Sequence, residues 1–192
     1  TKRLLRADGD PLWAQVTASP AGTPAEDRKL ELHFQPIVSL GDGEIRGVEA
    51  LLRWRHAERG LIGPDQFIPI AEESGLIVPI GRWALAEACR QLRRWDEMLG
   101  IEIGYVSVNL SARQLADPDL VGDVLHILRG TGMAPARLSL EVTESMLLHE
   151  TPATRDALHA LRDAGVRLAL DDFGTGWSSL GYLKRVPIDG LK

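Results

Sequence analysis

Four apolar runs in this sequence end in an acid or an amide, and that recurrence restricts the fold more than any other feature. Val166–Leu170 runs into the adjacent carboxylates Asp171 and Asp172, which a regular strand would point to opposite sides, and then into a loop whose Gly174 and Gly176 supply the bend needed for both to face one site. Val48 precedes Glu49 and ALLRW, Tyr105–Val108 precedes Asn109, and Leu138–Leu140 precedes Glu141, with Glu144 three residues on. Asn109 and Glu141 are 32 residues apart and Glu141 and Asp171 are 30 apart, the length of one strand and one return helix. Strands of a parallel α/β sheet or barrel deliver their C-terminal ends to one rim, where reactive groups gather. Glu49, Asn109, Glu141, Asp171 and Asp172 are therefore expected to converge. An Asp pair at a strand end also fits a solvated turn. Two like charges side by side, however, cost free energy unless a cation or proton relieves them, and the recurrence favours a cation. Oxygen donors of this kind suit Mg²⁺ or Mn²⁺.

The remaining elements follow from periodicity and punctuation. Leu30–Leu40 reads as a first strand, returned by the turn at Gly41–Gly43, and Ile45–Trp54 reads as the second. A short helix is expected from Pro64 to about Ser74, and Gly81–Leu99 keeps helical apolar spacing up to Gly100. Asp117–Pro118 supplies a helix start, with Gly130 or Gly132 as the stop; Thr151–Pro152 repeats the signal, with the stop at Gly165. Strands are expected at Tyr105–Leu110, Leu138–Val142 and Val166–Leu170, then a helix across Ser178–Lys184 and a further strand beginning at Ile188. Upstream, a DG turn and the alternation of Leu12, Ala14 and Val16 against Trp13, Gln15 and Thr17 fit a hairpin strand, followed by the linker PAGTPAEDRK. Residues 1–29 read as an upstream remnant, faintly similar to the last strands of a PAS sensor domain, and residues 30–192 as the main domain. Six strands at most lie between Leu30 and Lys192, whereas a complete (β/α)₈ barrel takes about 250 residues. The expectation is a barrel cut short at Lys192; an open parallel sheet stays possible but leaves a bare edge.

Charge and residue usage exclude several functions. With 22 basic and 27 acidic residues the chain carries −5, which argues against duplex nucleic acid as the main partner but leaves room for a phosphorylated ligand held through metal ions. Cys89 is the only cysteine, so there is no disulfide framework and no thiolate metal site, and it reads as a buried helix residue. His33, His56, His126, His149 and His159 lack paired ligand spacing. The five tryptophans read as packing residues, with Trp177 a candidate for an interface. No apolar run reaches transmembrane length and no signal-peptide core is present, so a cytoplasmic setting is the default. GTGWSS nearly matches G-x-G-x-x-G, but Ser179 stands at the third glycine and Asp171 and Asp172 would repel a pyrophosphate. No G-x-S-x-G elbow is present.

Six blocks resemble the EAL domain family in order and spacing: QPIV at Gln35–Val38, EALLRW at Glu49–Trp54, FIPIAEESG at Phe67–Gly75, VNLSARQL at Val108–Leu115, EVTES at Glu141–Ser145 and DDFGTGWSSL at Asp171–Leu180. The resemblance implies a TIM-like (β/α)₈ barrel with an antiparallel first strand, of which about the first six strands are present. It also implies a cyclic di-GMP phosphodiesterase forming linear 5′-pGpG. Carried over by position, it implies metal ligands at Glu49, Asn109, Glu141, Asp171 and Asp172, with two Mg²⁺ or Mn²⁺ ions that would polarise the phosphoryl oxygens and activate a water. Lys192 matches the lysine near that water and joins Glu49 as a catalytic residue. Gln35, Leu52 and Arg53 match substrate-contacting positions, and Glu144 matches the acid that holds the DDFGTG loop. Without the resemblance, Arg53 could be a surface arginine, Glu144 a solvated or capping acid, and terminal Lys192 has no assignable role. The family draws a further glutamate and a glutamine from beyond Lys192, so the 192 residues alone are expected to be inactive. A homodimer through the region near the DDFGTG loop and upstream sensory or GGDEF-type domains are further expectations. The alternative is an inactive EAL module that binds cyclic di-GMP or a protein partner as a sensor. Competent residues at every ligand position reached favour the enzyme.

Overall fold

Alternation along the strands separates a helix-covered core face from a polar face, and the sheet order brings the polar ends together. The computed structural model describes residues 14–17, 28–100, 102–148, 151–174 and 186–192. Strand β1 (Ala14–Thr17) pairs antiparallel with β2 (Arg28–Val38), and β2 pairs antiparallel with β3 (Ile45–His56). A three-residue strand, β4 (Gly60–Ile62), folds back on the end of β3. From β3 the sheet continues in parallel through β5 (Tyr105–Asn109), β6 (Leu138–Thr143), β7 (Arg167–Asp171) and β8 (Gly190–Leu191). The path is β1-β2-β3-β5-β6-β7-β8, a partial barrel whose long second strand runs against the rest. Six α-helices are described: α1 (Pro64–Ser74), α2 (Ile77–Leu99), α3 (Ala112–Leu115), α4 (Leu120–Thr131), α5 (Glu144–Leu148) and α6 (Pro152–Asp163). Val48, Ala50, Val106, Val108, Leu138, Leu140, Leu168 and Leu170 form one core with Leu85, Ala88, Cys89 and Leu92 of α2 and Leu158 and Leu161 of α6. Two-residue alternation puts Glu49, Ser107, Asn109, Ser139, Glu141 and Asp171 on the other face.

Several boundaries differ from the sequence reading, each for a local reason. β2 runs Arg28–Val38 rather than Leu30–Leu40, because pairing with β3 extends to Arg28 and Lys29. Helix α2 starts at Ile77 rather than Gly81; Pro79 lies in its first turn, where a missing N–H is tolerated. Asp117 does not cap α4. Its carbonyl accepts from Leu120 N–H and its carboxylate from Asp119 N–H, closing a separate turn, and Asp119 takes the N-cap position. Gly132, not Gly130, ends α4. Helix α3 was not expected; Ser111 and Gln114 form a reciprocal capping box around it. Thr151 caps α6 as read, through Thr154. Ala14–Thr17 is joined to the sheet through β2. Leu12 and Trp13 with the DG turn, linker residues 18–27, His149, Gly176, Trp177 and the helix expected across Ser178–Lys184 lie outside the described residues. Among the described residues no helix is long and apolar enough to cross a membrane.

Candidate active site

Register builds the site from the ends of neighbouring strands. The β3–β5 ladder sets Glu49 beside Ser107, and the β5–β6 ladder sets Asn109 beside Glu141. Asn109 Nδ2 donates to Glu49 Oε1 at 3.1 Å, and Leu110 N–H donates to the Glu141 carbonyl at 2.9 Å. Just past β8, Lys192 N–H donates to the Leu170 carbonyl at 2.8 Å, and its own carbonyl accepts from Phe173 N–H at 3.2 Å. This aims the ammonium inward. Lys192 Nζ lies 2.6 Å from Glu49 Oε2 and 3.0 and 3.2 Å from Glu141 Oε2 and Oε1. Ser107 Oγ donates to Glu141 Oε1 at 2.6 Å. Residues from β3, β5 and β6 thus meet around the ammonium that follows β8.

The electrostatics follow from burial and pairing. Glu141 is 3% exposed, and burial pushes its pKa up; the Ser107 hydroxyl and Lys192 pull it back, and the charge of Glu49 adds to the rise. Burial alone would lower the Lys192 pKa, but its hydrogen bonds to Glu49 and Glu141 outweigh that and hold it above the ordinary lysine value. The side chain is therefore an ammonium at neutral pH, which donates and cannot accept a proton. Two carboxylates against one ammonium leave a net negative charge, and every donor other than that ammonium and the Asn109 amide nitrogen is an oxygen. That donor chemistry fits a hard divalent cation. Among the described residues no group of three or more His, Cys, Asp or Glu side chains lies close enough to hold a metal ion as it stands.

Asp171 and Asp172 continue the rim one pleat beyond Glu141, since Thr143 is level with Asp171. The turn expected at Gly174 and Gly176 begins earlier, at Asp172, whose φ of 58° lies in the left-handed region that Asp tolerates better than most residues. Asp172 N–H donates to Asp171 Oδ1 at 3.0 Å. Gly174 N–H donates to Glu144 Oε2 at 3.3 Å, which ties the loop after β7 to the start of α5. Arg53 Nη1 donates to the Leu52 carbonyl at 2.8 Å, and exposed Gln35 stands opposite Glu49 in the β2–β3 ladder. A cavity of about 560 Å³ opens beside this rim, lined by Leu52, Arg53, Ile68, Glu72, Asn109 and Ser145 among others. Two features escaped the sequence reading. Ser107 could have been found as the polar interruption in an apolar strand. Glu31, fully buried, receives the forked guanidinium of Arg55 at 2.9 and 3.0 Å and lies 2.8 Å from His33 Nε2; no spacing rule announced it.

Comparison with known proteins gives the same direction. A family model described as "EAL domain" matches residues 21–192. The chain is 49% identical over 166 residues to "Cyclic di-GMP phosphodiesterase NbdA" of Pseudomonas aeruginosa, covering 86% of this chain and 21% of that protein. It is 42% identical over 181 residues to "Cyclic di-GMP phosphodiesterase PdeR" of Escherichia coli, covering 94% of this chain and 26% of that one. Among solved structures, "PaMucR Phosphodiesterase, c-di-GMP complex" superposes with a TM-score of 0.78 at 49% identity, over 84% of this chain and 65% of that chain. The chain spans about a fifth to a quarter of the length of these curated relatives.

Proposed function

The chain belongs to the EAL domain family, and on that premise we propose that residues 30–192 are part of a metal-dependent phosphodiesterase that hydrolyses cyclic di-GMP to linear 5′-pGpG in the cytoplasm. The observation that carries this reading is the meeting of Glu49, Asn109, Glu141 and Lys192 at one end of the parallel strands. The relatives named as cyclic di-GMP phosphodiesterases supply the substrate class. Glu49, Asn109, Glu141, Asp171 and Asp172 are the residues that would hold two Mg²⁺ or Mn²⁺ ions. Bound there, the ions supply Lewis acidity toward the phosphoryl oxygens and a lowered pKa for water.

The chain's own residues do the rest. Asn109 fixes Glu49 through its amide, so that the carboxylate keeps one oxygen toward Lys192. Lys192 stays charged and acts as a hydrogen-bond donor that orients a water or a phosphoryl oxygen. Gln35, Leu52 and Arg53 are the substrate contacts, with the Arg53 guanidinium held at the cavity mouth by the Leu52 carbonyl. The cavity volume lies within the range of small-molecule sites. Glu144 steadies the loop that follows Asp171 and Asp172. A homodimer through the region near that loop belongs to the same reading, although residues 175–180 lie outside the described ones. Residues 1–29, of which Ala14–Thr17 and Arg28 and Lys29 join the sheet, would lead from an upstream sensory or GGDEF-type domain. The test is chromatographic: the whole protein with Mn²⁺ should convert cyclic di-GMP to pGpG. Tight binding of cyclic di-GMP with no pGpG at any metal concentration would replace this reading with the sensor.

A further inference from the structure

Ser107 has no part in the reading above, yet it is the closest hydrogen-bonding partner of Glu141. It is the one polar residue among the buried positions of β5, 1% exposed and flanked by Val106 and Val108. A valine would suit that strand position and would carry no buried hydroxyl to satisfy. Two-residue alternation turns Ser107 toward the face that carries Glu49 and Asn109, and the parallel ladders set it level with Glu49 on one side and Ser139 on the other. Its Oγ lies 2.6 Å from Glu141 Oε1, a length typical of a hydroxyl donating to a carboxylate.

We propose that Ser107 is a positioning residue for Glu141: its hydroxyl holds Oε1 and so fixes the rotation of a carboxylate that, with Glu49 and Asn109, would hold a divalent cation. This inference rests on the proposed phosphodiesterase reading and adds a residue to it. Without the hydroxyl, Oε1 keeps only its 3.2 Å contact with Lys192, and the carboxylate loses the buried contact that fixes its rotation. Partners that orient a metal ligand in this way commonly account for about 10–100-fold in metal affinity or activity.

The experiment measures Mn²⁺ binding to the whole protein from the electron paramagnetic resonance signal of free Mn²⁺, with unfolding temperature recorded in parallel. The Mn²⁺ lost in Glu141→Ala defines the site that counts. Ser107→Ala is expected to weaken that site by about 10-fold or more with an unfolding temperature close to wild type. Ser107→Thr, which keeps the hydroxyl, is expected to bind nearly as wild type. Ser107→Cys keeps the volume with a weak donor and is expected to follow Ser107→Ala, which covers the case in which the alanine variant does not fold. Unchanged Mn²⁺ affinity in the alanine and cysteine variants, or a threonine variant as weak as alanine, overturns the positioning role while leaving the phosphodiesterase reading intact. Absence of any Mn²⁺ site sensitive to Glu141→Ala overturns both.

Discussion

Glu49 is held from two sides, by the Asn109 amide and the Lys192 ammonium, so its removal does more than delete one oxygen pair. Glu49→Ala leaves Lys192 paired with Glu141 alone and turns the net charge of that cluster from negative to neutral. Turnover of cyclic di-GMP by the whole protein should fall below detection and stay there as Mn²⁺ is raised, measured as the initial rate of pGpG formation. Recovery at high Mn²⁺ would reduce Glu49 to an affinity determinant. Cys89 makes the opposite point, that a reactive side chain can be inert by placement. It is fully buried in the α2 core, and burial pushes its thiol pKa up to about 12. A disulfide reagent at pH 8 is therefore expected to leave the native protein untouched and to react with one thiol per chain in denaturant; fast native labelling would contradict the packing of α2. At this scale the acids were legible because each ends an apolar run at a repeating interval. The bend at Asp172 was assigned to the neighbouring glycines, since glycine is the usual sign of a left-handed residue. Ser107 was passed over because, although it interrupts an apolar strand, a lone serine does not say which neighbour across the ladder it meets.

Elements are locked to one another by a few polar clamps at the end of the barrel opposite the carboxylates. Arg137, just before β6, donates to both oxygens of Asp96 in α2 at 2.7 and 3.0 Å, and also to the Ile103 and Gly104 carbonyls. Asp96 in turn accepts from Ile103 N–H at 2.9 Å. One side chain thereby ties the C-terminal end of α2 to the chain entering β5 and β6. Arg137→Ala should cost about 3–5 kcal/mol, because it leaves a nearly buried carboxylate and two carbonyls short of a partner; urea unfolding measures it, and a loss under about 1 kcal/mol would show that the clamp behaves like a surface pair. Gly104 belongs to the same region: a Cβ there would meet the Arg46 carbonyl at 2.2 Å, so β3 and the entry to β5 approach too closely for any side chain. Helix α2 was readable from its apolar spacing, and α6 from its Thr151–Pro152 start and Gly165 stop. β4 and α3 were not, since a three-residue strand exists only through pairing with β3 and a four-residue helix only through its capping box.

At the scale of the whole molecule, the described sheet is open, with β1 at one edge and β8 at the other. β1 is antiparallel to β2, as is β3, so β1 runs in the same direction as β3 and the parallel strands while occupying the outer edge of β2. At the far edge, among the described residues, β8 pairs only with β7, and Leu191 is 57% exposed. The fold class was legible because strand ends recur at the period of a βα unit; what closes the sheet was not, since closure is a property of edges that no run of residues encodes by itself. Lys192 sits at the open edge, and its ammonium holds Glu49 and Glu141 together from there. The superposed phosphodiesterase chain is longer, with 65% of it covered. A polypeptide of these 192 residues is therefore expected to turn over cyclic di-GMP at least about 10–100-fold more slowly than one extended to the length of that superposed chain, because among the described residues Lys192 and the rim around it are supported on one side. It should also self-associate as its concentration rises, since β8, which among the described residues has one edge unpaired and carries exposed Leu191, invites pairing with another copy. The decisive comparison assays the two polypeptides side by side with Mn²⁺ and follows the mass of the shorter one by light scattering. Equal turnover, with the 192-residue chain remaining monomeric, would show that the open edge already supports a complete site.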